Sequence, residues 1–175
     1  MEFEEVIKNR RSIRKYKAQE IPNRVIEKLI DAARLAPTGM NAQPWKFIAV
    51  KDKVKLKKIR ELYTTGREKL KIYAQDTSFI ENTAIIFVLS SKEFPWAKND
   101  CFLAIENVIL AATNNQLGSL CLGALMIEEP ELRILLKIPE NYDLVMPIAI
   151  GYPDETPEVP EKKDVNDLLS YEEFR

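Results

Sequence analysis

Three guanidinium groups and a hydroxyl fall within five residues near the amino terminus: Arg10, Arg11, Ser12 and Arg14 in RRSIRKY. A guanidinium is a planar fork of donors shaped for phosphate oxygens, so the cluster points to an anion. In an extended segment Ser12 and Arg14 face one side and Arg11 the other, while Arg10 still belongs to a helix end; at least three of the four can converge on one group. The competing reading is a basic helix terminus that complements the helix dipole. A second stretch, APTGMNAQPWKF (36–47), sets Thr38, Gly39, Met40, Asn41 and Gln43 between Pro37 and Pro44. Its amide side chains suit the donor and acceptor edge of a flat heterocycle, although an ordinary helix-to-strand connection would look similar. A third, GSLCLGAL (118–125), is apolar and ends around Leu122 and Gly123. Such a piece can bring backbone N–H groups close to a planar ligand, or be a helix cap and a short strand. In the tail, Lys162 and Lys163 add positive charge to an anion site or are solvated lysines.

What is missing narrows the chemistry. The 175 residues contain no histidine, which removes Ser-His-Asp and Cys-His nucleophiles and the HExxH metal helix. Proton transfer must use carboxylates, Lys, Tyr, Cys, water or a bound cofactor. None of the five glycines stands at GxG spacing, so neither the dinucleotide fingerprint nor the nucleotide-hydrolase phosphate loop is present. Lys and Arg number 26 against 27 Asp and Glu, a balance with no nucleic-acid signal. The run Lys51, Lys53, Lys55, Lys57 and Lys58 has no interleaved aromatics and reads as a solvated helix face. Cys101 and Cys121 are expected to be buried structural thiols, a disulfide staying open, and no metal is expected. No apolar run reaches about 18 residues and the amino terminus lacks the pattern of a secretory leader. The expectation is a soluble cytoplasmic protein with no membrane or nucleic-acid partner.

These residues need elements to hold them. Periodicity predicts helices over 2–10, 22–36 (opened by Pro22, closed by Pro37), 53–73 (one helix, or two pieces joined near Thr64-Thr65-Gly66), 98–117 and 131–136. Strands are expected at 46–50, 84–90 and 144–152, with 119–123 a short strand or extended loop. The 98–117 helix has an apolar stripe too wide for an ordinary surface helix, which suggests a central position or a subunit interface. Gly118 reads as its C-terminal cap. The order suggests one α+β domain, a central mixed sheet flanked by helices. The tail from residue 153 is extended by Pro153, Pro157 and Pro160 and ends in LLSYEEF, which needs something to pack against.

Taken together, RRSIRKY, then PTGMNAQPWKF, a long apolar helix, a Gly-bounded segment, a strand ending in PIAIGYP and a lysine-bearing tail resemble the nitroreductase family of FMN-dependent oxidoreductases over almost the whole chain. The resemblance implies an intertwined homodimer with FMN at the subunit interface. It implies that Arg10, Ser12 and Arg14, with Arg11 close by, contact the flavin phosphate and ring edge, and that Pro37, Thr38, Gly39 and Met40 cross to the partner's flavin. Asn41 would contact the isoalloxazine, Leu122 and Gly123 would place a backbone N–H at the reactive ring nitrogen, and Lys162, with Lys163 beside it, would add to the phosphate site. The family often has Ser-Ser where this chain has Thr38-Gly39, so one hydroxyl is missing. The implied activity is ping-pong transfer from NADH or NADPH, through FMN, to a small-molecule acceptor such as a nitroaromatic or quinone. Within the same resemblance, the alternatives are a dehalogenating or flavin-fragmenting relative and a non-catalytic FMN-binding protein.

Overall fold

The computed structural model describes residues 1–73 and 76–174. Its sheet has four strands, β1 (Trp45–Val50), β2 (Ala84–Ser91), β3 (Gly118–Cys121) and β4 (Tyr142–Gly151), in the order β1-β2-β4-β3. All three ladders are antiparallel, with registers such as Phe47 opposite Val88, Phe87 opposite Pro147 and Leu120 opposite Ala149. The sheet is mixed only at its edge, where Ser12 makes a parallel bridge to Ser119 of β3.

All eight residues of β2 are buried, as their unbroken apolar run requires of a strand covered on both faces. Alternation divides them between two cores. Ala84, Ile86 and Val88 face α2 (Asn23–Ala33) and α4 (Ala97–Asn114), whose Leu29, Ala104 and Val108 complete one cluster. Ile85, Phe87 and Leu89 face α3 (Lys53–Lys69), α5 (Glu129–Leu136) and the 3-10 turn Gly123–Glu128, with Leu56, Ile59, Leu122, Leu125 and Leu132. Fully burying each such Leu or Ile contributes about 1.5–3 kcal/mol. A short α1 (Phe3–Asn9) leads into the arginine segment.

Several boundaries differ from expectation for physical reasons. Helix α2 ends at Ala33, and Pro22 stands at its N-cap position, not inside its first turn. Of the two readings of 53–73 the single helix is the one formed: α3 runs unbroken through Thr64-Thr65-Gly66 and ends at Lys69. The threonine hydroxyls turn inward along the helix and bond carbonyls one turn back, Thr64 to Arg60 at 2.9 Å and Thr65 to Glu61 at 3.1 Å, without interrupting it. Helix α4 ends at Asn114, and the left-handed residue after it is Gln116 (φ 58°), not Gly118. Gly118 opens β3 instead; a Cβ there would lie 2.7 Å from Cγ1 of Ile13. The glycine exists so that the arginine segment can lie against the sheet. Of the two cysteines, both free, Cys101 is buried as expected, but Cys121 is exposed at the end of β3. The Cys101 thiol donates to the Leu89 carbonyl at 3.6 Å, and burial pushes its pKa up to about 12.

The wide apolar surface of α4 is present. Its buried stripe includes Cys101, Ile105 and Ile109, while Phe102 and Leu103 remain about half exposed. In the tail Leu168, Leu169, Tyr171 and Phe174 are exposed, Phe174 almost completely at 99%. Among the described residues no helix is long and apolar enough to cross a membrane, and no group of acids and cysteines is placed to hold a metal ion.

Candidate functional site

The arginine segment is stitched to the sheet along its whole length. The Ile13 N–H donates to the Ser119 carbonyl at 3.0 Å and the Lys17 N–H to the Tyr152 carbonyl at 2.9 Å. Tyr16 forms a bridge to Pro153, and its hydroxyl donates to the Ile13 carbonyl at 2.8 Å. Its ring lies over Gly151, where a Cβ would be 2.4 Å away. Burial and the nearby Glu155 carboxylate push the Tyr16 phenol far up, so it stays a neutral donor. Glu155 accepts both the Arg14 and the Lys15 N–H groups, the latter at 3.1 Å, and the Asp154 N–H returns a bond to the Lys15 carbonyl at 2.9 Å.

That framework gathers the cations. Arg10, Arg11, Ser12 and Arg14 line a cleft of about 810 Å³ with Lys8, Lys162, the carboxylate-bearing Glu158 and the Pro157–Pro160 stretch of the tail. Arg11 bends back to donate to the carbonyls of Lys8 (2.7 Å) and Arg10 (2.6 Å), closing the end of α1. Arg14 donates to the Ser12 carbonyl at 3.1 Å. With Arg11 committed to carbonyls and Lys8 paired with Glu4 at 3.6 Å, an incoming anion would meet Arg10, Arg14, Lys162 and the Ser12 hydroxyl. Lys163 is exposed and outside the cleft lining.

The Leu122–Gly123 step follows directly from β3. Leu122 is fully buried, and its N–H donates to the Pro147 carbonyl at 2.9 Å. Gly123 is exposed, and a Cβ there would meet nothing within 4 Å. As the first residue of a 3-10 turn, its N–H is one of the donors that a helical start leaves without an intrahelical acceptor. Ser12 of the cleft bridges Ser119 of β3, and Gly123 follows shortly after that strand ends. The charged cleft and the backbone donor therefore share one edge of the sheet.

The Pro37–Asn41 segment is not brought to that cleft. It forms a tight turn in which Met40 (φ 52°), Asn41 (φ 54°) and Gln43 (φ 46°) are all left-handed without being glycine. Each such residue costs roughly 1–2 kcal/mol relative to ordinary helical backbone, less for Asn. Three bonds hold it: Gly39 N–H to Asp100 Oδ2 at 3.1 Å, Gln43 N–H to Thr38 Oγ1 at 3.2 Å and Gln43 Nε2 to the Asn41 carbonyl at 3.3 Å. Met40 nevertheless projects into solvent at 83% exposure. A strained, polar, outward-facing turn is the kind of element that binds something the single chain does not supply.

Three residues outside the motifs support these pieces. Glu155 looked like one more tail acid. Asp100 had a weak signal, an acid next to the apolar stripe of α4, a helix that also carries Glu106. Gly66 had one too, a glycine inside a helical pattern.

The sequence profile of the Nitroreductase family matches residues 7–152. A protein of Archaeoglobus fulgidus, provisionally named NADH dehydrogenase/NAD(P)H nitroreductase, is 36% identical over 167 residues, 91% of this chain and 90% of its own. An iodotyrosine deiodinase of Thermotoga neapolitana is 28% identical over 86% of this chain and 88% of its own. Among solved structures, a nitroreductase with bound FMN from Bacteroides fragilis superposes with a TM-score of 0.77 at 27% identity, covering 99% of this chain and all of the other. With a family profile spanning the sheet, the arginine segment and both candidate turns, and a relative this similar along nearly its whole length, the chain belongs to the nitroreductase family.

Proposed function

We propose that the chain is an FMN-dependent oxidoreductase that takes electrons from NADH or NADPH and passes them to a nitroaromatic, quinone or similar acceptor in two half-reactions at one site. The observation that carries this reading is the convergence of Arg10, Ser12, Arg14 and Lys162 on one cleft, with Ser12 bridged to β3, the strand that leads into Gly123. The residues fit the group: three cations and a hydroxyl suit a phosphate monoester, and the bare backbone at Gly123 lets a flat ring approach. Bound there, FMN would supply the two-electron chemistry that no side chain here can perform.

The chain's own residues then bind and tune. Arg10 and Lys162 neutralise the phosphate. Arg14 would place positive charge by the edge of a bound ring, and the Gly123 N–H would donate toward it, so both would favour the negative charge that reduction creates. Proton delivery falls to solvent, in keeping with a chain that has no histidine. In a homodimer Pro37, Thr38, Gly39 and Met40 would reach the partner's flavin, and Asn41 would contact an isoalloxazine. Phe102, Leu103 and the LLSYEEF tail would be covered in that dimer, as exposed apolar groups of this number call for.

The test is optical. Purified protein, or protein incubated with FMN, should be yellow and should bleach with NADH or NADPH in the absence of oxygen; a nitroaromatic or quinone should restore the colour. A chain that stays colourless with excess FMN overturns the proposal. A yellow chain that neither nicotinamide bleaches is a flavin-binding protein without this donor. The deiodinase relative favours one second reading, reductive removal of iodide from an iodotyrosine. In that reaction two electrons and a proton replace the carbon–iodine bond by carbon–hydrogen. Iodide release from 3-iodotyrosine under a chemical reductant, without turnover of nitroaromatics, would select it.

A further inference from the structure

Gly66 lies in the interior of α3, where glycine is less favourable than alanine by about 1 kcal/mol. Its conformational freedom is not in use, since no glycine in the chain has positive φ. What α3 uses is the missing side chain. A Cβ on Gly66 would lie 2.2 Å from the Ala124 carbonyl oxygen and 3.1 Å from its carbon. Both are backbone atoms, so the collision cannot be relieved by rotating a side chain. One turn further on, the Lys69 ammonium stands 2.6 Å from Glu128 Oε1, whose side chain is only 4% exposed. The contact lies off the direction of a good hydrogen bond, which leaves charge attraction as its main content. Helix α3 thus touches the 3-10 turn Gly123–Glu128 near both ends, through its bare face at Gly66 and through the ion pair.

Both partners of this contact are held rigidly. On α3, Asp52 caps the start by accepting the Lys55 N–H at 2.9 Å, Leu56 and Ile59 are fully buried, and Arg60 pairs with Glu81 at 2.6 Å. On the other side, the Leu122 N–H is bonded to β4 at the Pro147 carbonyl. Gly123 lies between these two fixed points.

We propose that α3, through Gly66 and the Lys69–Glu128 pair, positions the Gly123 amide and thereby sets the reduction potential of the flavin. Gly66 and Glu128 are positioning residues; neither lines the charged cleft. The inference rests on the flavin reading above. An added methyl at Gly66 displaces the Ala124 peptide and drags the Gly123 N–H from its donor position. Loss of the Glu128 charge frees the far end of the same turn. Either change removes stabilisation from the reduced, negatively charged ring and leaves the phosphate contacts in place.

The test uses the full FMN-loaded chain and two readouts, the FMN dissociation constant and the midpoint potential by equilibrium with redox dyes. In Gly66→Ala the reduced-to-oxidised ratio at a fixed poise should fall about tenfold, which is ~30 mV for a two-electron couple. Glu128→Gln should move it in the same direction by roughly threefold, as expected for a weakened charged contact. FMN affinity should change by less than about threefold in both, because Arg10, Arg14 and Lys162 are untouched. If Gly66→Ala fails to fold, Glu128→Gln and Lys69→Met decide the question. Variants that load FMN at the wild-type potential overturn the positioning role alone. A wild-type chain that takes up no FMN overturns the flavin reading and this inference with it.

Discussion

The arginine segment and the Pro37–Gln43 turn are both candidate binding elements, and they are built in opposite ways. Residues 12–17 lie against the sheet edge and are bonded to Ser119, Tyr152 and Glu155 through ordinary extended backbone. Their side chains meet a tail from the same chain and form a complete charged cleft. The Pro37–Gln43 turn is left-handed at three non-glycine residues, is tied to the rest of the chain by Asp100, and presents Met40 to solvent. One region is bonded to distant parts of its own chain along much of its length; the other holds a left-handed backbone and faces solvent. The difference teaches where each kind of binding energy comes from. Charge recognition can be assembled locally around a sheet edge, whereas strain in an exposed turn persists only where its shape is needed.

The largest effect expected from breaking this comparison is at the cleft. Arg10→Ala or Arg14→Ala should weaken FMN binding by about 1.5–3 kcal/mol, measured by fluorescence titration, and added salt should shrink the difference as it screens the charge. Unchanged affinity would remove these arginines from the flavin site. Next comes the support beneath them. Gly118→Ala should destabilise the fold by roughly 1–3 kcal/mol in urea denaturation, because its methyl would strike Ile13, a stiff β-branched side chain packed on the sheet. A neutral result would mean that the arginine segment adapts more readily than its bonding suggests.

At the turn the effects are smaller. Asp100→Ala should cost about 1 kcal/mol of stability by leaving the Gly39 N–H without its acceptor, and Asp100→Asn, which can still accept, should recover most of it. Smallest is Met40→Gly, which relieves a left-handed strain and should raise stability by about 0.5 kcal/mol, net of the flexibility glycine adds to the unfolded chain. A loss of stability there would show that the Met40 side chain has a contact in solution. A fifth measurement separates the two thiols. Cys101 is neutral in the fold with its pKa raised to about 12. In the unfolded chain a thiol ionises near 8.5, so its contribution is fully present below that pH and is lost as pH climbs toward 12. Cys101→Ala should flatten that part of the stability profile, and Cys121→Ala should flatten it less.

Much of this was readable residue by residue. The clustering of Arg10, Arg11, Ser12 and Arg14, the unbroken apolar run of β2 and the over-wide stripe of α4 are local patterns, and local patterns survive without coordinates. Their partners were not readable. Glu155 lies 141 positions from Arg14, and Asp100 lies 61 from Gly39. No propensity reports which distant acid a backbone N–H will meet. Glycine shows the same limit. Gly118 and Gly66 invite local explanations, a cap and a break, yet both are required by tertiary crowding, from Ile13 and from the Ala124 carbonyl.

By itself, the amino-acid sequence determined the absence of imidazole chemistry, the four chemical clusters, the α+β arrangement and the family, because residue type and spacing are properties of the chain. Only the tertiary structure decided which clusters meet. It joined the arginines to Lys162 and to the edge that carries Gly123, left Lys163 outside, and kept the Pro37–Asn41 turn apart. The reason is geometric: closing a loop of more than a hundred residues costs entropy that only the two packed cores can offset, and the side chains that meet are those the cores bring into reach.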